Sequence, residues 1–127
     1  MSKEATPQGQ LVICTVTMPA DTNANGDIFG GWLVSHMDMG GGAAGRRRAR
    51  CRVVTVAIDA MRFILPINVG ETVNCYADLL KVGRTSMQFK IEAWTLSFSD
   101  ETQRKVAEGL FTFVAIDENG KPQAVDR

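Results

Sequence analysis

The chain has 127 residues, of which 45% are hydrophobic and 22% are charged, and these values are typical of one globular domain. The 14 lysines and arginines balance the 14 aspartates and glutamates, so the overall charge favours neither nucleic acid nor a membrane surface as a partner. No apolar run is long enough to cross a membrane, and no signal peptide opens the chain. We therefore expect no membrane insertion.

The three cysteines, Cys14, Cys51 and Cys75, are an odd number and lack the close spacing of a metal or redox motif. Each lies in or beside an apolar stretch, where a free thiol behaves as a small hydrophobic side chain. Free thiols are typical of a reducing compartment, so we expect a cytoplasmic protein.

The first part of the chain predicts a tail, a strand and a long loop. Residues 1–10 are mostly polar and predict a flexible tail before a single domain of residues 11–127. The segment Leu11 to Met18 is rich in β-branched residues and predicts a strand, which Pro19 ends. The loop from Ala20 to Gly31 is dense in Asp, Asn, Thr and Gly, which favour turns.

From Trp32 onward, the spacing of apolar residues becomes that of a helix. One predicted stripe of this helix consists of Leu33, Met37, Gly40 and Ala44. The glycines at 40–42 each weaken a helix by about 1 kcal/mol relative to alanine, and we expect them to permit close approach of another segment or a ligand. The helix is predicted to end in the arginine-rich stretch 46–50, since cations favour that end of the helix dipole.

The remainder of the chain predicts four long strands, at Arg52 to Phe63, Thr72 to Val82, Thr85 to Leu96 and Arg104 to Ile116. Short connections between neighbouring strands favour antiparallel pairing. A single helix must then cover one face of the sheet. The predicted fold class is therefore α+β, with an antiparallel sheet wrapped around one central helix.

Asp38 is the main candidate for chemistry, because it is a carboxylate among Met, Trp and Gly. Apolar neighbours raise the pKa of a carboxylate, and a general base needs such a pKa. A structural acid held by local N–H groups is the alternative. The neighbouring Ser35 and His36 resemble a hydrolase triad with Asp38, but successive helical residues diverge by about 100°. We therefore expect His36 to point away, and as the only histidine it forms no histidine metal cluster.

The loop before the helix supplies further polar candidates. Asn25 and Asp27 are explained by turn and N-cap chemistry, and a role in a polar site is the alternative. Gly30 and Gly31 could present N–H groups to a developing oxyanion. A second polar group follows Gly83, where Arg84, Thr85 and Ser86 suit a phosphate or an ordinary turn. The arginines at 46–50 favour a solvated helix end over a phosphate site.

The segment MPADTNANGDIFGGWLVSHMDMGG resembles the signature of the hotdog-fold acyl-CoA thioesterases, in the YciA-like branch of the cytosolic acyl-CoA hydrolase family. The later segments RVVTVAIDAMRFILPINVGETVNCYADLLKVGRTSMQFKIEAW and EGLFTFVAIDENGKP resemble the same family in the same order. The resemblance extends from about Leu11 onward. It implies a hotdog fold, in which a curved antiparallel sheet wraps one long helix. It also implies a homo-oligomer that dimerises through edge strands, often as a trimer of dimers, with active sites at the dimer interface.

The resemblance also implies roles for individual residues. Asp38 matches the catalytic carboxylate, Asp27 matches a loop position that shapes the site, and amides near Gly30 and Gly31 hold the thioester carbonyl. The hairpin residues Gly83, Thr85 and Ser86 lie where family members bind coenzyme A. The other candidate substrate-binding residues are Asn23, Asn25, Trp32, Phe63 and Arg84.

The predicted function is hydrolysis of acyl-CoA to a fatty acid and coenzyme A, without a metal or a separate cofactor. Asp38 would activate water or attack the thioester directly to give a mixed anhydride. A non-catalytic acyl-CoA binding or sensing protein on the same fold is the alternative. A dehydratase is a third possibility, but that activity usually requires a well-placed helix histidine.

Overall fold

The computed structural model describes residues 6–97, 99 and 102–127. Within these residues the chain forms one α-helix, α1 (Gly30–Ala49), and a short 3-10 turn (Pro19–Asp21). The strands are β1 (Gln10–Val16), β2 (Arg52–Phe63), β3 (Thr72–Val82), β4 (Ser86–Leu96) and β5 (Gln103–Ile116). The predicted elements are confirmed. β2 and β3 have the predicted bounds, the ends of the other strands and the helix start differ by at most two residues, and the helix ends at Ala49, within the predicted stretch 46–50.

The strands form one antiparallel sheet in the order β1-β3-β4-β5-β2. Hairpins join β3 to β4 and β4 to β5, as their short connections predict. Helix α1 contacts all the described strands and covers one face of the sheet. The predicted α+β architecture is therefore confirmed.

The start and end of α1 are set by backbone conformation. Phe29, the N-cap residue, is extended and its side chain does not cap the helix. At the other end Arg50 adopts a left-handed conformation with φ +58°, and its N–H donates to the Arg46 carbonyl at 2.7 Å. A left-handed residue that closes back on the last turn is a common helix stop. Arg50 is therefore the C-cap.

The predicted apolar stripe of α1 faces the core, where Leu33, Met37 and Ala44 are buried. Gly40 in this stripe and the adjacent Gly41 let the sheet approach the helix. A Cβ atom at Gly40 would lie 2.6 Å from a methyl of Val12, and one at Gly41 would overlap the side chains of Ile91 and Phe113. The expected close approach is thus confirmed for two of the three glycines.

Strand β2 is one edge of the sheet and is irregular. Its pairing with β5 shifts between Thr55 and Ala57 and again between Asp59 and Arg62. Within the second shift Ala60 has φ +51°, which is costly for a residue with a Cβ atom. These bulges bend β2 around the helix. Within the described residues its outer edge pairs with no other strand.

The predicted tail of residues 1–10 lies partly outside the described residues, because the structure describes nothing before Thr6. Gln10 already belongs to β1, and the Gln8 N–H donates to Glu92 Oε1 at 3.2 Å. The three cysteines are free thiols. Among the described residues, no helix has the length and apolar character needed to cross a membrane.

Candidate active site

The loop before α1 is organised by Asn23. Its side-chain Oδ1 accepts the N–H groups of Asn25 at 2.8 Å and Asp27 at 3.1 Å. Its own N–H donates to the Asp27 carbonyl at 2.7 Å. In the part of the chain that the structure describes, nothing accepts a hydrogen bond from Asn23 Nδ2. Asn23 therefore holds the loop through its oxygen and keeps two N–H donors for a ligand.

The first turn of α1 presents two further donors. Backbone N–H groups in the first turn of a helix have no intrahelical partner. No acceptor within the described chain takes the N–H of Gly30 or of Gly31. The ring of Phe63 lies against Gly30, since a Cβ atom there would be 3.1 Å from two ring carbons. Because the N–H groups of Gly30 and Gly31 have no acceptor within the described chain, they can bind an anion or an oxyanion.

Asn23, Gly30 and Phe63 line one cleft of about 390 Å³ between the loop, the start of α1 and the end of β2, whereas Gly31 is not among the residues that line it. Four of the predicted site residues lie there, namely Asn23, Asp27, Gly30 and Phe63. The apolar residues Leu33, Leu65 and Ile67 form much of the remaining wall. A cleft with an apolar wall and a few converging polar groups is a typical ligand site.

Asp38 lies outside this cleft, on the side of α1 that faces β2. It is half-buried, and the Thr55 hydroxyl donates to Asp38 Oδ1 at 2.7 Å. Asp38 Oδ2 has no protein partner among the described residues. A rise of 1.5 Å per residue puts Asp38 about 12 Å along the helix from Gly30. One protomer therefore holds the carboxylate and the cleft at separate points of the groove between α1 and β2.

His36 does not interact with Asp38, as predicted. Its Nδ1 lies 2.8 Å from the Trp32 carbonyl oxygen. Because a carbonyl only accepts, Nδ1 carries the proton. The imidazole also lies against the Trp32 ring, with 4.0 Å between centroids. The structure therefore excludes a triad of Ser35, His36 and Asp38. Trp32 is not among the residues that line the cleft. Asn25 is exposed at the loop tip.

The predicted coenzyme A hairpin is at the other end of the protomer. The Gly83 N–H donates to the Ser86 carbonyl at 2.8 Å, and the Arg84 carbonyl accepts the Val125 N–H at 2.8 Å. This turn lies beside the last turns of α1, where Met87 approaches Gly45. The helix is about 30 Å long. A single protomer therefore does not bring Gly83, Arg84, Thr85 and Ser86 to the cleft.

Thr55 was not among the predicted site residues. The β-branched side chain of Thr55 is typical of a strand, and the segment RVVTVAIDAMRF does not indicate that the Thr55 hydroxyl faces the helix. The signal that could have identified it is pairing: Thr55 opposes Phe113, an inward-facing residue of β5. Residues directly opposite in a sheet share a face. No group of three His, Cys, Asp or Glu residues converges as a metal site in the described chain.

One long helix against a five-stranded antiparallel sheet, with an acid facing an edge strand, defines a hotdog-fold protein. The chain belongs to the thioesterase superfamily, whose family model matches residues 25–97. It is 52% identical to the acyl-CoA thioester hydrolase YciA of Salmonella typhimurium over 121 residues, which cover 93% of this chain and 91% of that protein.

Two solved structures resemble the chain closely. One is a hexameric broad-specificity acyl-coenzyme A thioesterase, solved as an aspartate-to-alanine variant, with a TM-score of 0.91 and 48% identity over 94% of this chain and 88% of that one. The other is a hexameric thioesterase of Yersinia pestis, with a TM-score of 0.89 and 49% identity over 94% and 97% of the two chains. The predicted hotdog fold is thereby confirmed.

A more distant acyl-CoA hydrolase, from Staphylococcus aureus, matches with a TM-score of 0.85 and 27% identity over 88% of this chain and 67% of that one. Three single variants of that hydrolase were solved, with alanine in place of an asparagine, of an aspartate 15 residues later, and of a threonine 17 residues after the aspartate. Asn23, Asp38 and Thr55 have the same two spacings. The same order and spacing of asparagine, aspartate and threonine thus occur in both chains.

Proposed function

We propose that this chain hydrolyses acyl-CoA thioesters, with Asp38 as the catalytic carboxylate. The observation that carries the proposal is the hydrogen bond from Thr55 to Asp38 Oδ1, which fixes the carboxylate and keeps Oδ2 for water. The relatives named as acyl-CoA thioester hydrolases and the acyl-CoA thioesterase structure support this substrate class.

In the general-base route, Asp38 takes a proton from a water molecule whose oxygen attacks the thioester carbonyl carbon. The N–H groups of Gly30 and Gly31 stabilise the oxyanion that forms, and Asn23 Nδ2 adds a donor beside them. The tetrahedral intermediate collapses, the carbon–sulfur bond breaks, and the coenzyme A sulfur takes up a proton. The products are a fatty acid and coenzyme A. Direct attack by Asp38, giving a mixed anhydride that water hydrolyses, uses the same groups.

The separation of Asp38 from the cleft supports a site shared between two copies of the chain. β2 exposes the apolar side chains Val54, Val56 and Ile58 along an unpaired edge, and such an edge is a surface for strand pairing. Antiparallel pairing of two β2 strands about their midpoint places the Thr55 end of one beside the Phe63 end of the other. Asp38 of one protomer then approaches the cleft of its partner.

The same two-fold axis moves the partner's Gly83–Ser86 hairpin toward the cleft, since the hairpin lies at the Thr55 end of its own protomer. The nucleotide of coenzyme A would bind there, with the acyl chain on the apolar cleft wall. The hexameric relatives support a trimer of such dimers. Coenzyme A enters as part of the substrate, so no separate cofactor takes part. The three free thiols support a cytoplasmic location.

The test is Asp38→Asn, which preserves shape and removes the base and nucleophile. We expect at least a thousandfold loss of thiol release from a panel of acyl-CoAs, with an unchanged oligomer in size-exclusion chromatography. The matched control is His36→Gln, on the same helix and bonded to Trp32, which should retain activity. Near-normal turnover by Asp38→Asn would refute the proposal. Acyl-CoA binding without thiol release by the wild-type protein would favour a sensing function.

A further inference from the structure

A second cleft, also of about 390 Å³, lies on the other side of α1 from the Asp38 groove. It exists because β1 is shorter than β3. β1 begins at Gln10, which pairs with Ala77, whereas β3 continues to Val82. The last residues of β3 therefore have no β1 neighbour, and Leu79 on the helix-facing side remains 37% exposed. The cleft opens at this gap.

The floor of this second cleft is apolar and already formed. Ala44 of α1, Ala77 of β3 and Phe89 of β4 line it, and each of these three side chains is less than 9% exposed. Leu79 pairs with Phe89 and extends the same surface toward solvent. At one end the backbone of Gly9 closes the cleft, since a Cβ atom there would lie 2.6 Å from the Ala77 carbonyl carbon.

The rim carries an unbalanced positive charge. Arg47 and Arg48 line the cleft from α1. Arg48 is paired with Asp126 at 2.8 Å, whereas Arg47 has no acidic partner among the described residues. The one acid on the rim, Asp78, pairs with Lys90 in the sheet register. Alternation along β3 places the Asp78 side chain on the opposite face of the sheet from Leu79.

We infer that this second cleft binds a fatty-acid anion, with the alkyl chain on the Ala44–Phe89 floor and the carboxylate on Arg47. A guanidinium beside an apolar surface complements such an amphiphile, because the carboxylate accepts charge-assisted hydrogen bonds while the chain leaves water. The volume lies within the range of small-molecule sites. The inference rests on the proposed function in one respect, that the proposed reaction releases an acid of this class.

The experiment is equilibrium dialysis of labelled decanoate, below its micelle concentration, against the whole oligomer. Arg47→Glu should weaken binding about tenfold to a hundredfold, because one charge-assisted contact is lost and a repulsive charge is added. Arg46→Glu is the matched control: it makes the same charge change one residue away, at a position that does not line the second cleft. Arg46 lines only a neighbouring cleft, which Arg47 also borders. It should bind decanoate like the wild type. Leu79→Asn, on the floor, should also weaken binding.

Equal weakening by Arg46→Glu and Arg47→Glu would show general charge attraction and overturn the inference. The inference would also be overturned if no decanoate bound, or if decanol bound as tightly as decanoate and Arg47→Glu weakened the binding of neither. The measurement does not depend on turnover. Arg47-dependent binding by a wild-type protein that releases no thiol would sustain this second site while the proposed hydrolysis fails.

Discussion

Asp38 depends on a single neighbouring hydroxyl. A helix carboxylate has several rotamers, and each accepts hydrogen bonds equally well from water. The bond from Thr55, at 2.7 Å, selects the rotamer in which Oδ1 points to β2. Since Thr55 is on an edge strand and Asp38 on the helix, this bond also links the two elements that border the proposed site. Thr55 is therefore a positioning residue for the carboxylate.

Replacing Thr55 by valine removes the hydroxyl and conserves the shape of the side chain. We expect kcat for acyl-CoA hydrolysis to fall about tenfold to a hundredfold, the value of one hydrogen bond to a charged group, while KM changes little. Thr55→Ser, which restores the donor, should recover most of the activity. A valine variant with wild-type kcat, or a KM effect that serine does not reverse, would contradict this role.

The residues around Asp38 show what local sequence could and could not predict. Loop chemistry indicated Asp27 and the Gly30 turn, and the family resemblance added Asn23. The structure brings all three to one cleft because they lie within one short segment. Thr55 was missed because the bulges of β2 break the alternation from which its facing could be read. The hairpin at Gly83 was predicted to belong to the same site. A sequence motif does not show that the long strands separate this hairpin from the cleft.

At the scale of elements, the contact of α1 with the sheet depends on glycine. Gly41 faces Ile91 and Phe113 so closely that a methyl group would overlap both side chains. Gly42, the next residue, would meet only Phe113 at 3.8 Å, an ordinary contact distance. Both glycines weaken the isolated helix equally. Only at Gly41 does the packing require the absence of a side chain.

Gly41→Ala should therefore destabilise the protein. Overpacking costs about 1–3 kcal/mol, and the gain in helix propensity offsets about 1 kcal/mol of it. Gly42→Ala is the matched control and should be neutral or more stable by up to about 1 kcal/mol. Urea unfolding followed by circular dichroism measures both. The explanation fails if the two variants have the same midpoint.

Ionic side chains join β2, β4 and β5 on the sheet face away from the helix. Lys105 bonds both Glu108 and the buried Glu92, and Arg62 of β2 reaches Glu108 at 3.4 Å. The hydrogen bond from Lys105 holds the pKa of the Glu108 carboxyl below its usual value. A carboxyl with a lowered folded pKa stabilises the fold above its ordinary pKa and loses this contribution as pH falls through the folded value.

Glu108→Gln should consequently lower the free energy of unfolding by about 1–3 kcal/mol near neutral pH. The difference from wild type should shrink as pH falls below the ordinary pKa of glutamate, because the protonated wild-type side chain then resembles glutamine. Urea titrations at a series of pH values measure this. Glu118→Gln, an equal charge change in an exposed turn, is the control. A difference that persists unchanged into acid would contradict the assignment.

At the scale of the whole molecule, the described part of one protomer holds the two parts of the proposed site apart. The cleft with Asn23 lies at one end of the α1–β2 groove and Asp38 lies about 12 Å along it. The unpaired apolar edge of β2 runs between them. Two-fold pairing of this edge would complete both sites of the dimer, because Asp38 of each protomer would lie beside the cleft of the other.

This arrangement predicts complementation between two inactive variants. In a mixed dimer of Asp38→Asn and Asn23→Ala chains, one site carries both substitutions and the other carries neither. Random assembly makes about half of the dimers mixed, so co-expression of the two chains should restore about a quarter of wild-type thiol release. Co-expression of Asp38→Asn with Asp38→Ala, in which every site lacks the carboxylate, is the control and should restore none. If Asp38 acted with the Asn23 of its own chain, every site would carry one substitution, and the co-expressed variants would remain as inactive as each alone.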